Sequence, residues 1–229
     1  MESNWILALF SGEVVLAIFA AELRNLRWAA IALALESLFL VAIIGTFGYL
    51  TGGGETHLYW WAGVTFIAGV LLIPWLIWKY TSKVPVFEVK PRIGLIPSII
   101  IMAIILPITY SYIHTYLSPY FFDFLPPSYA SVGAASGLNL PLGLTMLVLG
   151  LYVVITRRDI IKVVIGFVIM DNGIGWALVS PAPNVHEASA EIGLACNLVT
   201  ASWLLLYLTA KIYEFWGTKD IKFLSELKW

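Results

Sequence analysis

The sequence predicts an all-α integral membrane protein with seven transmembrane helices. Three observations lead there. The composition is 60% hydrophobic and only 12% charged. The mean hydropathy is +0.89. Seven separate apolar stretches are each long enough to cross a hydrocarbon layer of ~30 Å as a helix. They fall at about 5–22, 26–50, 58–80, 93–116, 136–156, 160–181 and 188–213.

Each stretch has its own signature. The first has no basic leader and carries Glu13 in its core, so it reads as a retained span and not as a signal peptide. Breakers separate the others: Thr51 to Gly54, Pro85 and Pro91, Pro126 and Pro127, Pro181 and Pro183. Pro74 and Pro107 fall inside spans three and four. Kinks are expected there, because each removes a backbone donor that neighbours must compensate.

Charge sets the orientation. All 13 Lys and Arg fall on one side of this arrangement, from Arg24 and Arg27 to Lys222 and Lys228. The opposite loops, 51–57, 117–135 and 182–187, hold none. The positive-inside rule then puts the N-terminus outside and the C-terminus in the cytoplasm. With a net charge of −1 and no basic stripe, nucleic-acid binding is set aside. The single cysteine, Cys196, rules out an intrachain disulfide.

An internal repeat follows from register. At an offset of 135 residues, Arg27 falls on Lys162 and Glu36 on Asp171, so a basic residue precedes an intramembrane acid by nine positions in both halves. Spans one to three correspond to spans five to seven. Four crossings separate equivalent helices, so the repeats are parallel. The division is 1–80 for the first three-helix repeat, 81–135 for the connecting helix and outer loop, 136–213 for the second repeat, and 214–229 for a cytoplasmic tail. The aromatic, proline-rich stretch 117–136 reads as an interfacial loop. The tail reads as a frayed end, an interfacial amphipathic helix or a strap onto a neighbouring subunit.

The stretch from Arg157 to Asn172 organises the rest. After eight uncharged residues, Val163 to Met170, it places Asp171 inside an apolar helix. That is ~13 Å beyond Lys162, close to mid-membrane if Lys162 marks the surface. Glu36 and Asp171 lie near mid-depth, Glu13 is near the centre of span one, Glu191 is towards the outer end of span seven, and Asn197 is six residues deeper. An acid at such depth is costly and is seldom kept without a partner or a task. Burial disfavours its charged form, which suits a proton relay. The alternative is a neutral acid serving as an interhelical hydrogen-bonding strut. Asn172 and Asn197 suit interhelical links, and Lys162 reads as snorkelling to the cytoplasmic surface.

Other chemistries find little support. His57, His114 and His186 all lie on the outer side, which excludes paired axial ligands for haems stacked across the membrane. The TGGGET segment lacks the Gly-Lys-Ser/Thr of a P-loop. A retinal protein needs a lysine in mid-helix seven, whereas Lys211 is at the helix end.

The run LGLYVVITRRDIIKVVIGFVIMDNGI, Leu149 to Ile174, resembles the membrane component E family of hydrogenase-4 and formate hydrogenlyase complexes. The likeness extends to LLIPWLIWKY (71–80), EIGLACNLV (191–199) and the WGTKDIKFLSELKW ending. Residues of about 142–213 are further similar to the K subunit of respiratory complex I and the C subunit of multisubunit cation/proton antiporters.

The resemblance implies a non-catalytic subunit that lines a proton path in a prokaryotic cell membrane; the candidate proton-transfer residues in this chain are Glu36, Asp171, Glu13, Glu191, Asn197 and Lys162. Implied partners are antiporter-like subunits, a subunit like the membrane anchor of complex I, a hydrogenase peripheral arm and membrane lipids. The chain itself would hold no cofactor; the [NiFe] centre and Fe–S clusters would sit in partner subunits. Two positions depart from the pattern. The span-six acid of the complex I relative falls on Val168, one helical turn from Asp171. The acid expected in span seven falls on Asn197, an amide that cannot exchange a proton. Either Glu191 with water replaces it, or that part of the path does not conduct. A scaffold subunit and a stand-alone transporter are the competing readings.

Overall fold

A computed structural model of the chain describes residues 3–50, 56–88, 92–122, 138–178 and 188–220. The proline pairs at 126–127 and 181–183, the loop 182–187, His186 and the basic residues Lys90, Lys222 and Lys228 lie outside these residues. Among the described residues the chain is helical, with two isolated β-bridges and no strand.

Among the described residues seven long helices follow one another: α1 (Ser3–Glu22), α2 (Leu26–Leu50), α3 (Thr56–Tyr80), α4 (Leu95–Tyr120), α5 (Asn139–Thr156), α6 (Ile160–Leu178) and α7 (Ala188–Trp216). Six of them, α2 to α7, are long and apolar enough to cross a membrane. The helix α1, 20 residues long, packs along α2.

The two internal prolines are accompanied by π-helical turns. In α3 the segment Phe66–Leu72 is a π-helix immediately ahead of Pro74, which has no N–H to offer. In α4 a π-helical turn at Ile113–Leu117 follows Pro107. Helix continues beyond it through Ser118–Phe122. The outer loop expected from residue 117 therefore begins later, because no residue between 113 and 118 breaks the ladder.

The helix ends that carry Lys and Arg gather at one end of the bundle, called the basic end here. The Leu26 N–H donates to Val86 O at 2.9 Å and the Arg92 N–H to Thr156 O at 3.4 Å. Two short side chains start helices there in the same way. Asn25 Oδ1 accepts from the Arg27 N–H at 3.0 Å, and Asp159 Oδ1 from the Ile161 N–H at 3.0 Å. The beginning of the tail also docks here. Gly217, at φ +67°, ends α7 in the left-handed conformation that glycine adopts without strain. The turn lets Lys219 reach back into its own chain, so the tail up to Asp220 is not a frayed end. Its contacts are with this chain, at Asp159 in the α5–α6 turn and at Pro85; residues 221–229 of the tail lie outside the described residues.

Packing is uneven. Glycines let α5 and α6 touch backbone to backbone: a Cβ on Gly150 would lie 2.6 Å from Gly166 O, and one on Gly143 would lie 2.6 Å from Gly173 O. At the end away from the charges, Trp176 is boxed by Phe10, Phe47 and Trp61, with ring centroids 5.2, 5.2 and 6.0 Å away. By contrast only 17% of the apolar window of α4, and of α7, is buried within this chain, against 72% for α6. Those two helices present most of their surface outward.

Candidate functional site

The acids of α1 and α2 both lie inside the bundle. Glu13 is 2% exposed and Glu36 fully buried. Glu36 is held from α6: Asn172 Nδ2 donates to Oε1 and Oε2 at 3.1 and 3.0 Å. Ser37 Oγ donates to Oε2 at 3.2 Å. A carboxylate buried among apolar helices thus has donors on both its own helix and a neighbour.

Asn172 also lines a cavity of about 190 Å³ between α3, α6 and α7. Asp171 and Glu191 are in the wall, with Thr65 and Gly69 from the π-helical region of α3 opposite. The volume exceeds what one water needs, and the polar wall supplies partners for it. Asp171, half-buried, borders this cavity on one side. On the other it lines an apolar groove of about 590 Å³ with Phe167, Leu198 and Ser202. Asn172 thus stands between Glu36, which it binds, and the cavity whose wall it shares with Asp171 and Glu191.

Two sequence-read residues lie elsewhere. Asn197 is exposed on α7 and lines neither the cavity nor the groove, so within this chain it does not join the acids. Lys162 does not snorkel. It is fully buried, and its Nζ donates to the carbonyls of Ala20 at 2.6 Å and Ala21 at 3.0 Å. The end of α1 lies across its path to the surface and supplies carbonyls left over by the helix terminus.

The basic end also holds an ionic lattice, built on Arg157 and Lys219, that the sequence reading missed. Arg157 Nη2 donates to Glu22 Oε1, and both side chains are nearly inaccessible. The same oxygen accepts from Ser98 Oγ at 2.6 Å, and Ser98 shares a hydrogen bond of 2.7 Å with the Tyr152 hydroxyl. Arg157 Nη1 reaches Glu88 at 3.4 Å. Lys219 pairs with Asp159 at 2.8 Å and donates to Pro85 O at 2.8 Å. Burial pushes the Glu88 carboxyl above its ordinary value of 4.5, against the opposing pull of Lys162 and Arg157. One signal for the lattice was available: Glu22 and Arg157 are 135 residues apart, the repeat offset itself. Among the described residues no group of three or more His, Cys, Asp or Glu is placed to hold a metal ion.

Residues 140–229 match the family described as NADH-ubiquinone/plastoquinone oxidoreductase chain 4L. The hydrogenase-4 component E proteins of Escherichia coli K12, E. coli O157:H7 and Shigella flexneri are each 25% identical over 214 residues, covering 92% of this chain and 91% of theirs. No solved structure gives a significant match. The resemblance read from the residues thus stands: residues 140–229 carry the chain 4L pattern, and nearly the whole chain is similar to hydrogenase-4 component E.

Proposed function

We propose that the chain is a membrane subunit of a [NiFe]-hydrogenase or formate hydrogenlyase-like complex, and that it lines a proton-transfer path beside antiporter-like subunits. In this reading α1 is a seventh span, the N-terminus is outside and the C-terminus cytoplasmic, in a prokaryotic cell membrane. Residues 1–80 and 136–213 are parallel repeats joined by 81–135, with 214–229 as the tail. Catalytic metal centres belong to the peripheral arm in partner chains, not to this one.

One observation carries the proton path: Glu36 is bound by Asn172 at the wall of the cavity that Asp171 and Glu191 also line. Protonatable groups deep in a bundle beside a cavity roomy enough for water are what a relay requires; the Asn172 amide positions Glu36 there and does not itself pass a proton. The test is Glu36→Gln combined with Asp171→Asn in the assembled complex. Proton translocation should fall while hydrogen chemistry with a soluble electron partner persists; undiminished pumping would exclude both positions from the path. The buried Arg157–Glu22–Ser98 lattice favours a second, structural reading. If the chain is only a scaffold, the same double variant dissociates the complex and leaves coupling normal in whatever stays assembled.

A further inference from the structure

The outward surface is not uniform. On α7 an exposed amide, Asn197, lies among apolar residues, a polar atom that lipid cannot satisfy. The face formed by α2 and α3 is organised differently. From the basic end, Arg27 is followed on one side of α2 by the exposed residues Ile31, Leu35 and Leu38. On α3 the exposed residues Leu71, Trp75 and Trp78 run up to Lys79. The two stripes meet at their charged ends, where the Arg27 guanidinium lies 5.2 Å from the Trp78 ring centroid. The Lys79 ammonium lies 4.9 Å from that of Trp75.

From these observations we propose that the α2–α3 face binds an anionic phospholipid, its headgroup held by Arg27 and Lys79 and its acyl chains lying along the two stripes. Arg27 to Leu38 spans ~16 Å of helix, the depth of one leaflet's hydrocarbon. No hydrogen-bonding side chain of either stripe is deeper than the tryptophans, so nothing there asks for a polar protein partner. Among the described residues neither Arg27 nor Lys79 forms an ion pair with a carboxylate, and Arg27 Nε is buried without a hydrogen-bond acceptor. The positive charge of this face is therefore not paired with a carboxylate among the described residues. Indole rings between cation and acyl chain suit headgroup depth, where the ring face strengthens the hold on the cation. This assignment stands apart from the proton path, with which it shares no residue.

The experiment uses the full chain with whatever subunits co-purify, placed in nanodiscs and released for native mass spectrometry. With phosphatidylglycerol the chain should retain bound lipid, and with phosphatidylcholine it should not. Arg27→Gln with Lys79→Gln should weaken retention by on the order of tenfold. Lys211→Gln should change nothing, since Lys211 already pairs with Glu214 at 2.8 Å. A photoreactive residue at Leu71 should capture lipid. Equal retention of the two lipids, an unaffected double variant, displacement by inorganic phosphate alone, or capture of a protein at Leu71 would each overturn the assignment.

Discussion

Asn172 on α6 and Glu36 on α2 are joined by two hydrogen bonds of 3.1 and 3.0 Å, both donated by one amide nitrogen. The contact ties the two halves of the chain at the level of their buried acids. Replacing Asn172 with Ala removes the only donor that α6 is seen to offer Glu36 and leaves the carboxylate with Ser37. A buried acceptor that loses its donor costs about 1–3 kcal/mol. Asn172→Ala should therefore lower the unfolding temperature in detergent and reduce proton translocation in the assembly. An unchanged value of both would show that this amide neither supports the fold nor belongs to the path.

The lattice at the basic end predicts a larger effect. Arg157→Met leaves Glu22 buried without its cation, and breaking a buried pair from one side costs about 3–5 kcal/mol. Removing the acid as well, in Arg157→Met with Glu22→Leu, should restore a good part of that loss. The recovery is incomplete, because Glu88 also loses its arginine. A double-mutant cycle on thermal unfolding measures the coupling, and additive effects would mean that the pair contributes nothing.

Glu88 gives the pH dependence, and its sign is the reverse of an ordinary paired carboxylate. Burial raises its folded-state pKa above the ordinary 4.5, so between those two values the folded chain binds more protons than the unfolded one. The stabilising contribution is complete below the ordinary value and is lost as pH rises through the folded one. Glu88→Gln should therefore flatten the decline of stability above the ordinary carboxyl value. Thermal unfolding from about pH 4 to pH 8 compares the two chains over the range in which a raised carboxyl titrates. A steeper decline in the variant would contradict the assignment.

The helix boundaries were legible in the sequence to within a few residues, apart from the far end of α4, because apolar length, breakers and charge point to the same places. Glu36, Asp171, Glu13 and Glu191 were legible as isolated acids in apolar helices. Lys162 was misread for a physical reason. Snorkelling assumes an open route to the surface, and the end of α1 closes that route from 142 residues away in sequence. Asn172 was recognised as a linking amide, but its partner depends on how α2 and α6 face each other. The period of a uniformly apolar helix carries no such information. The same limit hid which side of α7 presents Asn197.

Glycine spacing in α5 and α6 was overlooked, although Gly143 and Gly150, like Gly166 and Gly173, are seven residues apart. Gly150→Ala puts a methyl group 2.6 Å from Gly166 O and 2.7 Å from Met170 N, so one helix must shift. Overpacking of this kind costs about 1–3 kcal/mol. Gly63→Ala is the control: nothing lies within 4 Å of its added carbon, and stability should be unchanged or rise by up to ~1 kcal/mol. Equal unfolding temperatures for the two variants would remove the close approach as a determinant of the fold.

Cys196 offers a native probe of the outward face of α7. It is the sole cysteine, it is exposed, and it directly precedes Asn197. If that face meets a partner subunit, as an exposed amide on an apolar helix suggests, the thiol is covered in the assembly and uncovered when the chain is purified alone. A membrane-permeant maleimide should label the isolated chain readily and the intact assembly slowly, with the rate set by access to the thiol. Asn197→Leu should leave labelling of the isolated chain unchanged, because Asn197 packs into neither the cavity nor the groove beside Asp171. In the assembly it should speed labelling by weakening the interface. Identical rates in the isolated chain and the assembly would place lipid, not protein, against α7.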